Sequence, residues 1–335
     1  MLVRGNAHSK QQLSGARFRR IVVQLGKLGF QFGGMHIIVF RSIRVGIYGV
    51  AFLLDAQKAD ALKQILQIGT SAGGARAKAV IAWNPATHEV RSGQVKAPEG
   101  FGYWLLKFDG VSGNKDKELE DPQGYGAIEY AYYLMARDAG IHMNECRLLE
   151  EEGRKHFMTK RFDRLDNGDK LHMQSLGALA HYDYNLAGAY SYEQALQVIK
   201  RLHLPMREVE QQFRRMVFNV VARNQDDHVK NIAFLMDKQG NWSLAPAFDV
   251  TYSYQPAGRW TSSHQMTLND KRDGFELADF IAVEKVAGLK RGQAKVILHD
   301  VQQVVSRWHD FADAASVNQD HREKIFTALR LEPFF

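Results

Sequence analysis

The chain has 335 residues, 45% hydrophobic and 24% charged, a globular composition with apolar material for a sizeable core. Cys146 is the only cysteine, which excludes an intramolecular disulfide and fits a reducing, cytoplasmic setting. The net charge of +7 would ordinarily suggest nucleic acid, but residues 1–54 hold eight Lys or Arg and no Asp or Glu; without them 36 basic residues face 37 acidic ones.

The first unit, residues 1–66, is therefore an atypical basic segment. Met35 to Leu54 is fairly apolar, but Arg41 and Arg44 interrupt it, and each is costly at a bilayer centre. No membrane span is expected, and no signal-peptide cleavage pattern is present. Three readings stay open: a basic arm that touches DNA or a protein partner, a partly disordered tail, or a divergent or misassigned start. The last two are favoured.

A stretch rich in small residues follows, Ile68 to Lys78, with Ser71, Gly73 and Gly74 at its centre. Small residues let backbone N–H groups approach phosphate oxygens; an ordinary flexible turn is the plainer alternative. It is not a Walker loop, because the Gly-Lys-Ser/Thr ending is missing. It runs into a strand-like segment, Ala79 to Trp83, and then a second apolar strand, Tyr103 to Phe108, that carries Lys107. Lys107 suits the α/β-phosphates of a nucleotide, or is simply an edge Lys with its head in water. Glu129, 22 residues later, lies at the start of a helix expected over Ala127 to Ala139, with Ile128, Ala131, Met135 and Ala139 on its apolar face and Gly140 to end it.

A lobe boundary is expected near 157–166, dividing 67–160 from a mostly helical 161–335. In the second part, Met206, Val209, Phe213, Met216, Val217 and Val220 form a helical stripe. It leads into Asn224-Gln225-Asp226-Asp227-His228-Val229-Lys230-Asn231. Apolar strands at Ile232 to Leu235 and from Trp242 onward, with a turn at Gly240-Asn241, then carry the chain to Asp249. Asp226 stands five residues before Asn231, and Asp249 eighteen after it. That order suits phosphoryl transfer: one Asp orients and deprotonates a hydroxyl, while an Asn and a later Asp hold a metal ion on the phosphates. A polar hairpin with surface acids is the plainer alternative. Lys230 is placed to contact the γ-phosphate, or is an exposed loop Lys. His228 is assigned to structural support of the loop. Asp227 is expected to face solvent. Ile297, Val301, Val304, Trp308 and Phe311 predict one further amphipathic helix, and Lys115 to Asp121 a solvated charged loop.

The ordered set of Gly-rich loop, Lys strand, Glu helix, catalytic loop and metal Asp resembles the HipA family of serine/threonine kinase toxins from bacterial toxin–antitoxin systems. The specific pieces are Lys160-Arg161-Phe162-Asp163-Arg164, Asp226-Asp227-His228-Val229-Lys230-Asn231 and Ala247-Phe248-Asp249-Val250, and the resemblance runs from about Ile68 to the C-terminus. It implies a two-lobed, protein-kinase-like α+β fold that uses ATP and Mg²⁺. It implies Asp226 as catalytic base, Asn231 and Asp249 as metal ligands, Lys107 on the phosphates paired with Glu129, and Arg161 and Phe162 beside the adenine. Gly73 and Gly74 would cover the phosphates, and Ser71 would be an inactivating autophosphorylation site. It also implies a protein substrate (an aminoacyl-tRNA synthetase in some members), growth inhibition, and restraint by a helix-turn-helix antitoxin. DNA would be reached only indirectly or through the basic segment. The chain departs from the pattern in two places. Well-known members have Gly where Asp227 stands, and the segment before the Gly-rich loop is short. The wording Thr70 to Gly74 is closer to the YjjJ-like branch. A small-molecule kinase of the aminoglycoside or choline type, and a DNA-binding regulator or inactive scaffold, remain as alternatives.

Overall fold

The computed structural model describes residues 78–93, 96–110, 123–151, 153–165 and 167–334, together with the backbone of three strands between 28 and 52. Ser71, Gly73, Gly74 and the charged run 115–121 lie outside the described residues.

Strands β1 (Leu28–Phe32), β2 (Met35–Arg41) and β3 (Tyr48–Phe52) form an antiparallel sheet in sequence order. Leu28 pairs with Val39, and Arg41 with Tyr48. The charge pattern of the segment does not predict regular strands; its β-branched and aromatic run, Ile37 to Phe40, suits them.

The next layer is a five-stranded antiparallel sheet, β4 (Lys78–Trp83), β5 (Val90–Ser92), β6 (Gly102–Lys107), β7 (Cys146–Glu151) and β8 (Arg154–Lys160), in the order β5-β4-β6-β8-β7. β6 is an interior strand, paired on one side as Lys78 with Lys107 and on the other as Lys107 with Phe157. Trp83 and Trp104 meet edge to face at 5.5 Å within its core.

Helix α1 (Tyr125–Asp138) packs against β7 and β8. Asp109 caps its start, its carboxylate accepting from the N–H groups of Gly124 and Gly126 at 3.0–3.2 Å, which satisfies donors the helix itself leaves open. Asp109 N–H in turn donates to His156 Nδ1 at 2.9 Å, tying the cap to β8. The helix approaches so closely that any Cβ at Gly126 would collide with the carbonyl oxygen of Lys155. Gly140, at φ 78, ends α1: its N–H reaches the Arg137 carbonyl and that of Ile141 reaches Ala136. This is the paired closure that a left-handed residue permits.

The second lobe has a small antiparallel sheet in the order β11-β10-β9, from β9 (His172–Ser175), β10 (Ala233–Met236) and β11 (Trp242–Leu244). Around it lie α2 (Leu176–Ala180), α3 (Tyr192–Arg201), α4 (Met206–Val221), α5 (Leu277–Ala287), α6 (Gln293–Val305), α7 (Trp308–Ala314) and α8 (Gln319–Ala328). A capping box of Ser191 and Gln194 starts α3. The α4 stripe buries Val209, Phe213, Met216, Val217 and Val220, whereas Met206, at its first turn, is exposed. The stripe 297–311 is divided between α6 and α7, because the helix closes at Ser306 and Arg307. That break lets the fully buried Trp308 donate its indole N–H to the Arg322 carbonyl at 2.9 Å.

Candidate active site

Two local features bring the lobes together at one point. The Ala247 N–H donates to the His142 carbonyl at 2.8 Å and Ala247 bridges to Met143, so the segment after β11 lies along the turn that follows α1. Asp249, two residues on, has φ 56, a left-handed conformation that Asp tolerates better than most residues and that turns the chain sharply.

Lys107 is 7% exposed and its Nζ donates to Glu129 Oε1 at 2.5 Å and to Asp249 Oδ1. One interior ammonium therefore holds a helix carboxylate of the first lobe and a loop carboxylate of the second. Burial alone would lower its pKa, but Asp249 and Glu129 outweigh that and drive it above the normal lysine range. The edge-Lys reading is thereby replaced, since β6 is interior.

Asp226 begins the loop after α4. Its N–H donates to Ser253 Oγ at 2.9 Å, and its carbonyl accepts from Asn231 Nδ2 at 2.8 Å, so Asn231 closes the loop on itself. The Asp226 side chain keeps 49% exposure. Its pKa is pushed up to about 6, first by desolvation and further by the negative charges of Asp249 and Asp227, with His228 opposing. His228 Nε2 lies 3.8 Å from Asp226 Oδ1, and its ring meets Tyr184 edge-on at 5.8 Å. Lys230 Nζ rests 3.0 Å from the centre of the Tyr184 ring, a cation–π contact. Asn231, Phe248 and Asp249 line one small cavity of about 30 Å³ with Asp227 and His228.

Asp227 does not face solvent. Its side chain is 1% exposed and accepts from the Tyr192 hydroxyl at 2.5 Å, from His264 Nδ1 at 2.7 Å and from Gln265 N–H at 2.7 Å. Burial raises its pKa, yet His264 and these donors bring the net shift below the usual value. Donors then run in one direction around a closed path. Asp226 N–H gives to Ser253 Oγ, and Ser253 to Asn224 Oδ1 at 3.1 Å. Asn224 gives to Asn219 Oδ1 at 2.9 Å, Asn219 to the Tyr192 oxygen at 3.0 Å, and Tyr192 to Asp227. Such a chain polarises each member towards the next.

Arg161 and Phe162 sit on the inter-lobe segment. Arg161 binds Asp163 through two bonds, at 2.8 and 2.6 Å, and Arg164 joins at 2.6 Å. Phe162 packs on Phe248 at 5.5 Å. Arg161 and Phe162 border a cavity of about 590 Å³ that Leu235 and Leu244 also line.

The structure thus brings Lys107, Glu129, Asp226, Asn231 and Asp249 to one place, with His228 and Lys230 beside them. No group of three or more His, Cys, Asp or Glu with metal-binding geometry occurs among the described residues. A hard ion held by one carboxylate and one amide oxygen, with phosphate oxygens and water completing its shell, needs no such cluster. Asn231 uses its amide N–H on the Asp226 carbonyl, so its amide oxygen is the atom that could meet a cation. No helix among the described residues is long and apolar enough to cross a membrane.

The arrangement is a kinase-like one: a Lys–Glu pair on sheet and helix in one lobe, an Asp–Asn loop and a following Asp in the other. The HipA-like C-terminal domain model matches residues 70–308, and the chain belongs to that family. A Sinorhizobium fredii protein with the provisional name kinase Y4mE is 28% identical over 136 residues, 37% of this chain and 32% of its own. A Haemophilus influenzae protein, also provisionally named a kinase, is 27% identical over 159 residues, 42% of this chain and 46% of its own. The matched region spans less than half the length of these curated relatives. Among solved structures, HipA in the Shewanella oneidensis HipA, HipB and operator DNA complex superposes with a TM-score of 0.61 at 15% identity, covering 84% of this chain and 74% of that one. The fold is shared with that toxin.

Proposed function

We propose that this protein is an ATP- and Mg²⁺-dependent serine/threonine protein kinase of the HipA toxin type, inhibiting growth by phosphorylating a protein hydroxyl. The observation that carries this reading is the double engagement of Lys107 by Glu129 and Asp249, because nucleotide phosphates and a metal ion would meet at that junction. Lys107 would receive the α- and β-phosphates, and Glu129 holds its ammonium in place. Asn231 and Asp249 would hold Mg²⁺, which when bound supplies positive charge against the phosphate oxygens. Asp226, its carboxylate open to the cleft, would accept the proton of the attacking Ser or Thr hydroxyl. Its pKa of about 6 leaves it ionised at neutral pH and still basic enough for that role. Lys230 would leave Tyr184 to neutralise the γ-phosphate, and the inter-lobe backbone near Phe162 would face the adenine. A helix-turn-helix antitoxin would be the restraining partner, a reading supported by family membership and by the HipB that accompanies the Shewanella HipA.

The test uses the purified full chain with radiolabelled ATP, offered a cell lysate and, separately, a panel of small alcohols including an aminoglycoside and choline. Label should appear on protein Ser or Thr and depend on Mg²⁺. Asp226→Ala should abolish transfer while Mg-ATP still raises its melting temperature. Label on a small alcohol alone, or full transfer by Asp226→Ala, would overturn the reading.

A further inference from the structure

Arg330 lies two residues beyond α8, 104 positions after Asp226, yet it joins the hydrogen-bonded scaffold of the catalytic loop. Its N–H donates to the Val221 carbonyl at 2.9 Å and its Nη1 to the Val220 carbonyl at 2.8 Å, at the end of α4 from which the loop departs. The same Nη1 lies 2.9 Å from His264 Nε2. A guanidinium only donates, so His264 Nε2 must accept, and its one ring proton stands on Nδ1. That proton is given to Asp227 Oδ2. Arg330 therefore sets the tautomer of a histidine with no exposed surface, and the histidine holds the buried carboxylate next to the proposed base. Nη2 binds Asp273, which fixes the other side of the guanidinium.

We propose that Arg330, acting through His264 and Asp227, is a positioning residue for the catalytic loop, so that the C-terminal segment is a structural part of the active site. The proposal rests on the kinase reading for its effect on turnover, but its effect on the loop is independent of that reading. Arg330→Met removes every side-chain donor, keeps the backbone bond to the Val221 carbonyl and keeps much of the aliphatic stem. His264→Asn keeps a donor near Asp227 but cannot span to Arg330. Glu332→Ala, in the same segment, is the control.

The experiment measures kcat and KM for ATP alongside hydrogen exchange of backbone amides 225–231 in the full chain. Arg330→Met should lower kcat on the order of 10- to 100-fold with KM for ATP little changed, since small misplacements of a reacting group are felt mainly in the transition state. Exchange at 225–231 should rise, and Glu332→Ala should match the wild type in both. His264→Asn should move both readouts the same way, and it decides the matter if Arg330→Met does not fold. Unchanged exchange in 225–231, or a kcat loss matched by the loss of folded protein, overturns the proposal. If the wild-type chain transfers no phosphoryl group, the kinase reading fails, and the exchange measurement alone decides whether Arg330 holds the loop.

Discussion

Asp226 and Asp227 are consecutive residues in opposite surroundings: the first side chain is 49% exposed in the cleft, the second 1% exposed within a set of three donors. Their pKa shifts run in opposite directions, and so must their contributions to stability. Asp226, raised from 3.8 to about 6, favours the protonated form on folding. Its ionised form therefore costs stability above about pH 6, and the cost disappears below 3.8. Asp227, depressed, contributes stability that is present above 3.8 and is lost as pH falls through its lower folded value. Asp226→Asn should raise the melting temperature at pH 8 and lose that gain towards pH 4. Asp227→Asn should lower stability at pH 8 by about 1.5–3 kcal/mol, the scale of hydrogen bonds to a charged group. Thermal melts of both variants across pH 4–8 check the pair of signs.

The Lys107 cluster predicts a strong loss with a partial remedy. Lys107→Met leaves Glu129 buried with its cation gone, which should cost about 3–5 kcal/mol. Adding Glu129→Gln removes the buried negative charge that Lys107 had faced and should restore part of that stability without restoring Mg-ATP binding. Denaturant titrations of the single and double variants give the difference directly.

Gly126 is the contact point between α1 and β8, so Gly126→Ala must push the helix away from the Lys155 carbonyl. Overpacking of this kind costs about 1–3 kcal/mol. Because Glu129 is one turn further along the same helix, the variant should also weaken the thermal shift produced by Mg-ATP. A normal shift in a destabilised variant would show that α1 accommodates the methyl group without moving Glu129.

Cys146 is buried, and burial pushes its thiol up to about 12. A thiol-directed disulfide reagent at pH 8 should label the native protein only as fast as it opens, and the denatured chain at once. Rapid labelling of the native chain would mean that the β7 edge exposes the sulfur.

The convergence of Lys107, Glu129, Asp226, Asn231 and Asp249 was legible because a phosphotransfer pattern restricts residue type and chain order, and because the strand and helix that carry two of them show clear apolar patterns. Asp227 was not, since its burial depends on Tyr192 and His264, 35 and 37 residues away, and neither stands in any motif. A carboxylate next to another carboxylate reads as solvated unless distant partners are known. Arg330 was hidden for the same reason, and Asp109 because it caps a helix across a 15-residue separation. The break at Ser306–Arg307 was missed because the apolar spacing continues across it, and periodicity alone does not report a change of axis. Met206 matched the helical period but lies in the first turn, where the helix leaves the core.

The Lys107–Asp249 contact joins positions 142 residues apart, and its ammonium end is shielded from water. Dissolved ions weaken charge pairs that they can surround, such as the exposed Arg147–Glu145 pair, more than one whose cation is buried. The two lobes should therefore keep their mutual orientation from dilute buffer to concentrated salt, and scattering curves recorded at both extremes should superimpose. Triphosphate would loosen that fastening where simple electrolyte does not, because it offers the lysine a competing anion at the same atom.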